Sequence, residues 1–228
     1  MKIIGNGLLA KSFLEYKINK NYNCIIFASG VSNSSENNLN NFSKEIDLIN
    51  QILLENKGSK IIYFSSIFIN RKNPYYQHKV EIENIIKNNS NDFLILRLPQ
   101  LVGKGGNPNN IFNFFKDKIN KGESISIIEN SERSLIDVDD VRDFVFYSLE
   151  NDISGVMNFS SIKKISVLEL AILMANNLNK NLNYNLLINT EISTIFENSP
   201  EINLFLEFKK IEKKGYIEKL IKKYLSNG

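Results

Sequence analysis

Three side chains in one short stretch have the types and spacing for proton chemistry: Ser66, Tyr75 and Lys79. Residues 61–64 (IIYF) are an apolar run that predicts a buried strand of a parallel sheet. The run ends in Ser65 and Ser66, where such a strand opens onto a crevice. Pro74 predicts the start of a helix. Positions i and i+4 share a helix face, so the Tyr75 phenol and the Lys79 ammonium lie side by side. A phenol ionises near pH ~10 in water, and a neighbouring cation favours the phenolate. A serine hydroxyl beside them holds a carbonyl or alcohol while the tyrosine moves its proton. Tyr-x-x-x-Lys alone is a common spacing. Its weight comes from the strand ending in serine ahead of it and the glycine-rich turn that opens the chain.

That turn is Gly5-Asn6-Gly7-Leu8-Leu9-Ala10, between the strand-like Lys2-Ile3-Ile4 and a helical run, LLAKSFLEY. In G-x-G-x-x-A the first glycine permits the tight turn and the second lets a pyrophosphate approach the backbone. The small third residue lets helix and strand pack, and the helix start attracts the anion. The pattern predicts dinucleotide binding. A dinucleotide fold places an acidic residue on the adenosine ribose about 20 residues past the turn. The strand that arrives there, residues 23–28 (NCIIFA), ends instead in Ser29 and Gly30, with no Asp, Glu or Arg beside it.

Later segments add to the pattern. Residues 93–98 (FLILRL) predict another buried strand, running into Pro99-Gln100-Leu101-Val102-Gly103-Lys104-Gly105. Arg97, inside that strand, calls for an ion-pair partner. Residues 133–141 read R-x-x-I-D-V-x-D-V, with Asp140 expected to cap a helix over 141–150 and Asp137 to pair locally. Ser166 and Glu169 form a capping box for a helix over 166–177. Beyond Asn179 come a strand-like segment, a linker and a C-terminal helix.

Together these motifs resemble the extended short-chain dehydrogenase/reductases, the NAD-dependent epimerase/dehydratase group acting on nucleotide sugars. The resemblance covers about residues 1–177. It implies an α/β fold, a Rossmann-like doubly wound parallel sheet with a small C-terminal substrate lobe, in one unit over residues 1–228. The Rossmann-like core is placed mainly in residues 1–103 and about 136–162, the substrate lobe in about 104–135 and 163–228. Residues 23–30 resemble the family's fourth strand and its Ala/Gly-rich turn; on that reading two strands and a helix of the adenosine half are absent.

The resemblance also implies roles. Ser66, Tyr75 and Lys79 match the catalytic set. Gly5, Asn6, Gly7, Leu8, Leu9, Ala28, Ser29, Gly30, Leu98 and Pro99, with Tyr75 and Lys79, match positions around NAD or NADP. Ser66, Asn110 and Arg133 match positions near the sugar nucleotide, although Asn110 reads equally as a helix cap. Asn50 falls near the family's helix asparagine that serves the lysine, and reads equally as a solvated residue. The implied activity is reduction or epimerisation at a sugar carbon, in bacterial surface polysaccharide synthesis, by a homodimer. The rival is a non-catalytic ligand-binding protein on the same fold.

Composition narrows the rest. With 28 basic and 25 acidic residues the net charge is +3, too balanced to imply nucleic acid. The basic run 209–223 is interleaved with apolar residues at helical spacing and reads as a solvated helix face. The single cysteine, Cys24, permits no intrachain disulfide or cysteine metal site and reads as core; no metal is assigned. No signal peptide or membrane-length apolar run is evident, so a cytoplasmic location is expected.

Overall fold

The computed structural model describes residues 1–17, 20–160, 162–188 and 197–225. Along the chain, β1 (Lys2–Ile4) leads to α1 (Leu8–Leu14), β2 (Cys24–Phe27), α2 (Leu39–Glu55), β3 (Lys60–Ser66), α3 (Pro74–Asn89) and β4 (Phe93–Leu98). There follow β5 (Gln100–Val102), α4 (Ile111–Lys121), β6 (Ile125–Ile128), β7 (Glu132–Asp137), α5 (Val138–Glu150) and β8 (Gly155–Asn158). The chain closes with β9 (Lys164–Ser166), α6 (Val167–Asn177), β10 (Tyr184–Leu187), α7 (Pro200–Phe208) and α8 (Tyr216–Leu225).

Five strands form one parallel sheet in the order β1-β2-β3-β4-β8. Their side chains alternate between two faces. Ile25, Phe27, Ile61, Tyr63 and Ile95 pack on α2 and α3. Ile26, Ile62, Phe64, Leu94 and Leu96 pack on the other face, where the cluster continues to Phe13 of α1 and Phe144 of α5. Both faces are therefore covered, which is why these strands read as continuous apolar runs.

The winding of the first unit is unusual. The steps β1 to β2, β2 to β3 and β3 to β4 all move the same way across the sheet. Yet α1 packs on one face, and α2 and α3 on the other. The first crossover thus has the opposite hand to the next two, whereas nearly all such crossovers share one hand. A chain that lost a strand-helix-strand unit between α1 and β2 would show this geometry, because α1 would keep its face while its return strand vanished. Among the described residues β1 pairs with β2 alone and forms the sheet's edge. The reading of residues 23–30 as a fourth-strand equivalent agrees with this order.

The helices follow their local chemistry. On α2, Phe42, Glu45, Ile49, Ile52 and Leu53 are buried at helical spacing, and the Asn38 side chain caps the start. On α3, Asn73 accepts from the Tyr76 amide and Pro74 sits in the first turn. Ser166 caps α6 by accepting from the Glu169 amide, as its capping box predicts.

One expectation needs correction. Asp137, not Asp140, caps α5, which begins at Val138; Asp137 accepts from the Asp139 amide at 2.9 Å. Asp140 instead accepts from the Tyr216 hydroxyl of α8 at 2.6 Å. Helix α7 occupies part of the stretch read as linker, and residues 189–196 of that linker lie outside the described residues.

The later elements pair among themselves. β5 pairs parallel with β7, β9 pairs antiparallel with β7, and β6 pairs parallel with β10. On α8, Tyr216, Ile217, Leu220, Ile221 and Leu225 are buried while the lysines face outward. Lys223 ties this helix back to the rest, its ammonium 2.7 Å from Asp137 and 2.6 Å from Asp139.

Candidate active site

The parallel register aligns the carboxyl ends of β1 to β4: Ile4 sits beside Phe27, Phe27 beside Tyr63, and Ser66 beside Leu98. The loops leaving these strands therefore converge at one edge, where open α/β sheets bind ligands. They enclose a cleft of about 790 Å³, a size suited to a small-molecule or cofactor ligand.

Ser66, Tyr75 and Lys79 all line this cleft. Ser66 ends β3 and is buried, and its Oγ accepts from the Phe68 amide at 3.2 Å. Its own hydroxyl hydrogen remains available to a ligand oxygen. Tyr75 stands in the first turn of α3, where Asn73 and Pro74 fix the start of the helix. Among the described residues its hydroxyl has no protein hydrogen-bond partner. Burial, reinforced by Tyr76 and Glu45, pushes its pKa above the ordinary phenol range, so the resting group is a proton donor. The Lys79 ammonium lies 5.6 Å from the Tyr75 ring centre.

Lys79 is buried, and burial pushes its pKa down while Glu45 opposes the shift. Its Nζ donates to the Tyr63 hydroxyl at 3.0 Å and to Glu45 Oε1 at 3.3 Å. Tyr63 in turn donates to Glu45 Oε1 at 2.9 Å. The other carboxylate oxygen accepts from the Val31 amide at 2.7 Å and pairs with His78 Nε2 at 2.9 Å. Burial alone would raise the Glu45 pKa, but Lys79, His78 and the Val31 amide bring it down to about 2.

Glu45 escaped the sequence reading, which offered Asn50 either as the helix partner of the lysine or as a solvated residue. Asn50 is exposed on α2, whereas Glu45 lies on the buried stripe. A charged residue between Phe42 and Ile49 on an otherwise apolar helix face was the available signal.

The glycine turn divides into two roles. Gly5 has φ +124°, and a β-carbon there would stand 2.3 Å from the Ala28 carbonyl oxygen. It lets β1 and the end of β2 approach, and it does not line the cleft. Gly7 has nothing within 4 Å of its β-carbon position and does line the cleft, as do Asn6, Leu8 and Leu9. Ala28, Ser29 and Gly30 after β2, Leu98 at the end of β4 and Pro99 just beyond it also line the cleft. The side-chain oxygen of Gln100, also in the lining, is buried without a hydrogen-bond partner. Open space at Gly7, an unmatched acceptor at Gln100 and the Ser66, Tyr75 and Lys79 donors fit an elongated polar ligand. Lys11 and Lys104 join the lining, and among the described residues neither forms an ion pair.

The two remaining sequence candidates sit differently. Asn110 lines the cleft but also caps α4: its Oδ1 accepts from the Phe112 amide at 3.0 Å and its Nδ2 donates to the Leu101 carbonyl at 2.5 Å. Both ends of its amide are thus engaged by the chain itself. Arg133 lies on β7 outside the cleft lining, with Nη1 donating to the Glu132 carbonyl at 2.8 Å. Arg97 pairs with Glu83 through Nε at 2.9 Å and Nη2 at 2.6 Å, the partner its strand position called for. Among the described residues no cluster of histidine, cysteine, aspartate and glutamate could hold a metal ion. No helix among them is long and apolar enough to cross a membrane.

The profile of the NAD dependent epimerase/dehydratase family matches residues 8–159, more than half of the sequence. This chain belongs to that family. No curated protein matches it by direct comparison. Solved structures share the fold of this epimerase/dehydratase member at low identity. A dTDP-4-dehydrorhamnose reductase from Bacillus anthracis, in complex with NADP, aligns over 100% of both chains with 17% identity and a TM-score of 0.74. A dTDP-glucose 4,6-dehydratase from the same organism, in complex with NAD, has 12% identity and a TM-score of 0.69, covering 90% of this chain and 73% of that one. A UDP-glucose-4-epimerase from Stenotrophomonas maltophila, with NAD and formylated UDP-arabinopyranose, has 12% identity and a TM-score of 0.69, covering 88% and 74%. Three different reactions thus run on this fold, and the choice between them rests on the site.

Proposed function

We propose that this protein is an NAD(P)-dependent enzyme that reduces or epimerises a sugar carbon of a nucleotide-activated sugar, in the synthesis of bacterial surface polysaccharide. The observation that carries the proposal is the convergence of Ser66, Tyr75 and Lys79 on one cleft with the open face of Gly7. Gly7, Leu8 and Leu9 would hold the cofactor's phosphates, and Gly30, Tyr75, Lys79 and Pro99 its nicotinamide half. The nicotinamide supplies the place from which a hydride leaves or to which it goes.

The chain's own residues do the remaining work. Ser66 donates a hydrogen bond to the reacting oxygen of the sugar. Tyr75 gives that oxygen its proton in reduction or takes it in oxidation. Lys79 presents a positive charge near the phenol and favours its ionised form as the proton leaves. The resting Tyr75 is held as a phenol, the form that gives its proton in reduction. Lys11 and Lys104, which form no ion pair among the described residues, are assigned to ligand phosphate; Arg133 and Asn110 are not.

Assembly belongs to the same reading. α2 and α3 cover one face of the sheet, and Leu54 of α2 is 72% exposed; a homodimer packed through these helices would cover it.

The absence of an acidic residue beside Ser29 and Gly30, where a dinucleotide fold holds the adenosine ribose, favours the rival, a ligand-binding protein without turnover. The two readings separate in one assay: oxidation of NADH or NADPH with a panel of nucleotide-linked keto sugars, using the unmodified protein and Tyr75→Phe. Turnover that falls about 10²–10⁴-fold in the variant supports the enzyme. Saturable cofactor binding with no turnover on any substrate supports the rival.

A further inference from the structure

We propose that Glu45 is the positioning residue for Lys79, holding the buried ammonium charged and leaving one N–H directed at the cleft. The inference rests on the reading of Lys79 as the lysine that serves Tyr75. It goes beyond that reading by assigning the partner that makes a buried lysine usable.

The hydrogen-bond arithmetic is closed on one side only. An ammonium has three N–H donors. One goes to Glu45 Oε1 and one to the Tyr63 hydroxyl. Among the described residues no third acceptor is present, and Lys79 lines the cleft. Glu45, by contrast, is saturated: Tyr63, Lys79, the Val31 amide and His78 fill its two oxygens. A carboxylate with every lone pair engaged is held in one orientation, and so is the cation against it.

The pair also ties the loop after β2 to the lysine. A β-carbon on Gly30 would lie 2.7 Å from Lys79 Nζ and 2.8 Å from Glu45 Oε1. The glycine is what allows loop backbone, ammonium and carboxylate to meet. With Val31 held by the same carboxylate, the turn and the ammonium are fixed as one unit.

Among the described residues the ionisable groups facing Lys79 come from three elements. Glu45 comes from α2, Tyr63 from β3 and Tyr75 from its own helix, while His78 reaches it through Glu45. Glu83, one turn along α3, is occupied by Arg97 and Lys87. Glu45 is therefore the anion in direct contact with Lys79. Both side chains are only 2–3% exposed, and a buried lysine without its counter-charge sheds its proton near neutral pH.

The test follows the protonation of Lys79 itself. Protein carrying carbon-labelled lysine is titrated by NMR, with the Lys79 signal identified by its loss in Lys79→Met. In the unmodified protein Lys79 should stay protonated through pH ~7. In Glu45→Gln its midpoint should fall by at least about one unit, the scale expected for losing an adjacent opposite charge. Tyr63→Phe, which removes a hydrogen bond but no charge, should move it less. A folded Glu45→Gln with an unmoved midpoint overturns the proposal. So does a neutral Lys79 at pH ~7 in the unmodified protein, an outcome that needs no variant to fold. Absence of cofactor turnover with the midpoint shift intact would sink the enzyme reading and leave this pair standing.

Discussion

Gly5 and Ala28 approach so closely that a β-carbon on Gly5 would lie 2.3 Å from the Ala28 carbonyl oxygen, inside any permitted contact. The loop after β2 therefore rests directly on the first turn of the chain. Gly7, two residues on, has nothing within 4 Å of its β-carbon position. Gly5→Ala should lose about 2–3 kcal/mol of stability or fail to fold, since both the backbone angle and the clash oppose it. Gly7→Ala should cost less than about 1 kcal/mol. Thermal melts of the two variants check this. Equal losses would mean that the two glycines do not divide their roles this way.

Lys11 and Lys104 give a second expectation. Two cations in the cleft lining, neither in an ion pair among the described residues, should draw the phosphates of a nucleotide ligand. Lys11→Ala and Lys104→Ala should each weaken NADPH binding about tenfold, the scale of one charge-assisted hydrogen bond. Added salt should weaken binding to the unmodified protein more than to the double variant. Fluorescence titrations at two salt concentrations check both. Identical salt dependence in the two proteins would place the phosphates elsewhere.

Much of this cleft was legible in the sequence because its parts are local. A strand ending in serine, a helix starting at Pro74 and a glycine turn each announce themselves within a few residues. Their convergence follows from parallel strands in register. What escaped depended on packing between distant segments. Glu45 reaches Lys79 from another helix, and only its place on the buried stripe of α2 hinted at that. The cap of α5 fell to Asp137 because the helix begins at the next residue, Val138, which leaves Asp140 inside the first turn, where it accepts from Tyr216 of α8. Asn110 showed both of its possible roles in sequence; in the fold its Oδ1 caps α4 and its Nδ2 is held by the Leu101 carbonyl of β5, a contact between separate elements. The reversed first crossover is a property of sheet order that no local motif carries.

Asp140 supplies a prediction with a pH sign. Burial, opposed by the Tyr216 hydroxyl and reinforced by Asp137, raises its pKa from 3.8 to about 6. A raised folded-state pKa gives stability that is complete below pH ~3.8 and is lost as pH rises through about 6. At neutral pH the ionised carboxylate therefore costs stability. Asp140→Asn should raise the melting temperature at pH ~7 by about 2–4 °C, corresponding to ~1 kcal/mol after allowance for solvent screening. Below pH ~3.8 the gain should vanish. Calorimetry at the two pH values checks the sign. A variant less stable at neutral pH would show that the charged form is the one the fold favours.

The central claim is that the cleft takes a nicotinamide cofactor against Tyr75 and Lys79 although β1 is the edge strand of the sheet among the described residues. The most direct test is a fluorescence titration of the purified protein with NADH and NADPH, repeated with Gly7→Val. The account predicts saturable binding of at least one cofactor, weakened at least about tenfold when the valine fills the open space at Gly7. A folded protein that binds neither cofactor at about 1 mM would contradict it.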